Sequence, residues 1–104
     1  MIAEPKMINE ALQALGAVWI QIQEYRSTHG YIDILLTEDG ARQKVGRVWL
    51  TDCFFICGCT SGGPFNLTVV EEQTEGNRIV VLMAGKDFVT KGIRIGYASV
   101  DEKL

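Results

Sequence analysis

Three cysteines, a single histidine and two aspartates set among apolar neighbours are the residues of this chain with chemistry to offer. Cys53, Cys57 and Cys59 follow a C-x3-C-x-C spacing inside residues 45–60, VGRVWLTDCFFICGCT. Thiolates bind soft metals and act as nucleophiles. The stretch is rich in β-branched and aromatic residues, so it reads as a strand. At a rise of about 3.3 Å per residue, Cys53 and Cys57 stand ~13 Å apart, too far for a disulfide or a shared metal ion. Cys57 and Cys59 come to about 6.6 Å, the outer limit for a bridge. Gly58 leaves room for a bend, yet three thiols and one distant histidine make a poor ligand set. The cysteines are expected to be reduced, metal-free and buried as small apolar side chains. No cofactor is expected.

His29 is the sole candidate base for a cysteine–histidine pair. It stands beside Gly30 in a polar link and reads as an exposed loop side chain. Asp33 and Asp52 each interrupt an apolar stretch. A buried carboxylate has a raised pKa and often a function, but a sheet edge or a partly wet face explains both more simply. Ser61-Gly62-Gly63-Pro64 could present N–H groups to an anion. It lacks the lysine and following helix of a phosphate loop and reads as a turn. No catalytic constellation emerges, and a non-enzymatic role is expected.

The aromatic residues carry more weight. Trp19, Tyr25, Tyr31, Trp49 and Phe55 fall on one face of the strands proposed below, and Leu35 and Val70 would add to that face. Aromatic side chains with a polar tip are typical of binding surfaces. The expected ligand or interface residues are Trp19, Gln21, Tyr31, Asp33, Leu35, Trp49 and Phe55.

These residues must be held by a scaffold that the hydrophobic pattern outlines. Residues 4–15 read as a helix, with Pro5 in the first turn, an apolar stripe of Ile8, Ala11, Leu12 and Leu15, and Gly16 ending it. Residues 17–25 alternate: Val18, Ile20 and Ile22 point one way, Trp19, Gln21, Gln23 and Tyr25 the other. Residues 31–37 repeat the pattern, and Asp39-Gly40 marks a turn. In 45–60, Val48, Leu50, Asp52, Phe54 and Ile56 oppose Arg47, Trp49, Thr51, Cys53 and Phe55. Both sides are apolar from Phe54 onward, so both need cover. Further strands are read over 65–72, 78–83 and 88–99, with Gly92 and Gly96 as bends or bulges. No second helix is available for parallel crossovers. The fold class is therefore α+β: an N-terminal helix packed on a strongly curved, mostly antiparallel sheet of about six strands, a meander or open barrel. A length of 104 residues makes one domain, 1–104.

Net charge −3 and a pI near 5.0 argue against nucleic acid, which demands a basic field. Arg42, Lys44 and Arg47 form only a small basic cluster, with Glu38 and Asp39 upstream. No apolar run approaches the roughly 20 residues that span a bilayer. The N-terminal residues do not read as a signal peptide, and the final DEKL has the wrong order for a retention signal. Together with the three unpaired cysteines this points to the cytoplasm. Two function classes follow. The first is a non-catalytic protein-interaction module, a homodimer through the aromatic sheet face. The second is a small apolar ligand, or a small enzyme's substrate, held in a pocket between helix and curved sheet.

Overall fold

The computed structural model describes residues 1–28, 30–38 and 43–99. His29, the Asp39-Gly40 turn, Arg42 and the C-terminal DEKL fall outside them. The single described helix, α1 (Pro5–Leu15), begins with Pro5 in its first turn and buries Ile8 and Leu12, one turn apart on the same stripe. The strands are β1 (Ala17–Arg26), β2 (Tyr31–Thr37), β3 (Lys44–Thr51), β4 (Phe55–Gly58), β5 (Ser61–Thr74), β6 (Asn77–Ala84), β7 (Phe88–Gly92) and β8 (Arg94–Ser99). All pair antiparallel, in the order β4-β7-β6-β5-β1-β2-β3-β8. The α+β class and the antiparallel sheet are as the pattern predicts. Among the described residues no helix is long and apolar enough to cross a membrane.

The strand count is corrected from about six to eight, and the reason is local. The stretch read as one strand over 45–60 breaks at Asp52, whose φ of 55° lies in the left-handed region. The stretch over 88–99 breaks at Ile93. The two breaks face each other: Phe54 N–H donates to Lys91 O at 3.0 Å, and Ile93 N–H to Thr51 O at 3.2 Å. Thr51 pairs with Arg94 and Phe55 with Lys91, so four steps along one strand match three along the other. The extra residue is a bulge, which bends both strands at one corner. A further correction concerns Ser61-Gly62-Gly63-Pro64, read as a turn, which opens β5 in extended form.

These corners force the curvature. In a flat sheet, six spacings of about 4.8 Å would put β4 roughly 29 Å from β3. Only residues 52–54 join the two, and the four Cα–Cα steps from Thr51 to Phe55 reach at most ~14 Å. The sheet must therefore roll up, although β4 and β8 remain the ends of its ladder. Its concave side is filled by Ile20, Ile32, Ile34, Leu36, Val48, Leu50, Leu82 and Phe88, all fully or almost fully buried. The helix closes the opening where β1 leaves β5. Asn9 Oδ1 accepts from Val69 N–H at 2.8 Å, and Gln13 Nε2 donates to Leu67 O at 2.8 Å. Two backbone groups that no strand reaches are thus satisfied by side chains.

Candidate functional site

Six of the seven residues singled out from sequence lie on the convex face of the β1–β2–β3 sheet. Gln21 is opposite Leu35, Asp33 opposite Trp49, Trp19 opposite Thr37 and Tyr31 opposite Arg26. Opposed residues share a face. The two tryptophans are nonetheless separated by two strand spacings and four positions along β2, on the order of 16 Å. Each is half-buried by its own neighbour. Trp19 packs on Gly63 of β5, where a Cβ would stand 3.0 Å from the indole, and Trp49 packs on Gly96 of β8. Leu35 and Tyr31 are half-buried as well.

Between the tryptophans lies a charged centre. Arg47 Nε stands 3.1 Å from Asp33 Oδ1, with the two side chains 34% and 13% exposed. Their angle does not meet that of a hydrogen bond, so this is an ion pair held by distance alone. The Arg47 guanidinium also lies 4.9 Å from the centre of the Trp49 ring, a cation–π contact. Burial raises the Asp33 pKa from its ordinary 3.8, against the pull of Arg47, and Glu24 adds to the rise. Glu24 is opposite Asp33 in the ladder. Burial, and then the Asp33 charge, raise the Tyr31 pKa.

Tyr25 and Phe55 leave this face. The β1–β2 register slips between Ile22 and Glu24, which makes Gln23 a bulge and places Tyr25 opposite the fully buried Ile32. Tyr25 therefore points to the same side as Val18 and Ile20. The break at Asp52 does the same for β4. Phe54 and Phe55 turn toward the end of β1, and an open cleft of about 410 Å³ forms between Ile22, Tyr25, Phe54, Phe55, Ile56 and Thr60. Tyr25, Phe54 and Phe55 are 53%, 57% and 44% exposed. Tyr25 and Phe54 are absent from the seven residues chosen from sequence. The available signals were the consecutive polar Gln23-Glu24, at odds with strict alternation, and the adjacent Phe54-Phe55, which one strand cannot bury on a single face.

The remaining candidates have structural surroundings. Cys53 is buried, and its thiol lies 3.2 Å from the Thr90 hydroxyl, which itself donates to Phe55 O at 2.9 Å. Cys59 is half-buried and Cys57 exposed, so the expected burial holds for Cys53 and fails for Cys57, which follows Ile56 on an end strand. Among the described residues no group of three or more His, Cys, Asp or Glu could hold a metal ion. Asp52 is exposed at the corner. The Ser61–Pro64 segment offers no open cradle, because Gly63 packs on Trp19.

Comparison with family models, with characterised proteins and with solved structures finds no match to this chain.

Proposed function

We propose that this chain is a non-catalytic interaction module that pairs with a second copy of itself, with the aromatic cleft between β1 and β4 at the centre of the contact. The observation that carries the reading is the joint exposure of Tyr25, Phe54 and Phe55 around one cleft. At about 200 Å² per aromatic side chain, half exposed, they present roughly 300 Å² of apolar surface. A patch of that size on a soluble protein is often functional. The tryptophan face is the weaker candidate, since Trp19 and Trp49 are already covered in part by glycines of adjacent strands.

The rim supports self-pairing. Lys91 Nζ lies 5.6 Å from the centre of the Phe55 ring and 3.9 Å from Glu72 Oε2. Both charge signs beside one apolar centre suit a twofold contact, in which each patch meets its own copy.

Sedimentation of the full chain at micromolar concentration tests this. A dimer is expected, and Phe54→Asp is expected to release folded monomers, because Phe54 is too exposed to be needed by the core. A wild-type monomer, or a dimer unchanged by Phe54→Asp, overturns the placement of the contact. The second reading is a small apolar ligand in the same cleft, favoured by its volume of about 410 Å³. A wild-type monomer whose cleft takes up such a ligand would put that reading first.

A further inference from the structure

A second cleft, of about 350 Å³, opens on the other side of the sheet over the outer edge of β8. Its walls include Ile2, Trp49, Thr51, Arg94, Ile95 and Gly96. Thr51 is opposite Arg94, and Trp49 opposite Gly96, so these four residues form a square on one face of the β3–β8 pair. The absent side chain of Gly96 lets the indole lie across β8, and this makes a flat apolar wall.

One charged group in this wall has no partner. Arg94 is exposed and takes part in no ion pair, ring contact or hydrogen bond among the described residues. The carboxylates that adjoin its other walls in sequence, Asp52 next to Thr51 and Glu4 close to Ile2, do not pair with it. The backbone adds further polar groups. Tyr97 turns its N–H and C=O outward to Ile2, both at 2.9 Å. Antiparallel alternation turns those of Ile95, two residues earlier, to the same edge.

We propose that this cleft binds a small apolar carboxylate, its hydrocarbon body against Trp49 and Ile2 and its carboxylate on Arg94. The charge is complementary: a guanidinium without a partner pairs with a carboxylate through parallel N–H donors, and the apolar wall excludes water from that pair. A neutral or cationic amphiphile would leave Arg94 unpaired or repelled. The site is independent of the aromatic cleft, which carries no cation without a ring or carboxylate partner of its own.

Decanoate is the probe, titrated into the isotopically labelled full chain and followed by amide and indole N–H resonances, with decanol and decylammonium alongside. Saturating shifts are expected at the Trp49 indole, Arg94 and Gly96. Decanol should bind at least about tenfold more weakly, a loss of one charge-assisted contact, and decylammonium more weakly still. Arg94→Gln should reduce decanoate to the level of decanol, while Arg94→Lys retains part of the preference; Arg94 is exposed, and the dispersion of the spectrum reports whether each variant is folded. Equal binding of decanoate and decanol would overturn the proposal. So would indifference to Arg94→Gln, shifts confined to Tyr25 and Phe54, or no saturable shift.

Discussion

The indole of Trp49 lies across Gly96 on the neighbouring strand, in the space a Cβ would occupy. The pairing holds the ring in place and leaves no room for a side chain at position 96. Gly96→Ala is expected to lower stability by about 1–3 kcal/mol, the usual range for overpacking. In a Trp49→Ala background the same change should be nearly neutral, because the collision is gone. A double-mutant cycle by chemical denaturation measures the coupling. Additive effects would show that the ring does not depend on Gly96.

The helix is tied to β5 by polar bonds as well as by Leu12. Leu12→Ala is expected to cost about 2–4 kcal/mol, as for other buried leucines. Asn9→Ala leaves the Val69 N–H without its acceptor and should cost about 1–3 kcal/mol. Gln13→Ala should cost less, since Gln13 is exposed while Asn9 is half-buried. Equilibrium unfolding of the three variants ranks them. If Asn9→Ala proves neutral, apolar packing alone holds the helix.

Asp33 gives stability a pH dependence opposite in sign to that of most paired carboxylates. Its folded pKa is raised from 3.8, chiefly by burial. Below that ordinary value the carboxyl is protonated in both folded and unfolded chains. As pH rises, the unfolded chain ionises first, so the contribution of Asp33 to stability falls until the folded pKa is passed and is level thereafter. The stability of wild type relative to Asp33→Asn should therefore decline from about pH 4 upward. Unfolding measured across a pH series checks this. A relative gain with rising pH would mean that the Arg47 ion pair outweighs burial. Arg47→Ala should raise the Asp33 pKa further, because Arg47 is the one group that lowers it.

The helix, the antiparallel sheet and most of the concave core are legible in the sequence, because Ile8 and Leu12 or Ile32, Ile34 and Leu36 repeat with the period of their element. The bulges are not. One extra residue at Gln23 and one at the Asp52 corner shift every later side chain to the other face, and neither position carries a glycine or proline to mark it. Those two slips removed Tyr25 and Phe55 from the tryptophan face and built the aromatic cleft. The partner glycines of Trp19 and Trp49 were hidden for a different reason. Gly63 and Gly96 read locally as a turn and a bend, and their role depends on strands far away in the chain.

The cysteines should react in the order of their surroundings. Cys57 is exposed on the end strand β4, Cys59 half-buried beside Gly62, and Cys53 buried against the Thr90 hydroxyl. A thiol must meet its reagent, and a buried one does not do so readily. Under native conditions a maleimide is expected to label Cys57 fast, Cys59 slowly and Cys53 only at the rate of unfolding. Peptide mapping by mass spectrometry after timed labelling resolves the three sites. Cys53→Ala is expected to destabilise the corner, since Thr90 would keep Phe55 O as its partner but lose the thiol contact; Cys57→Ala should be near neutral, as for other exposed positions, within about 0.5 kcal/mol. Rapid labelling of Cys53 in the folded protein would mean that the corner between β3 and β4 opens without unfolding of the core.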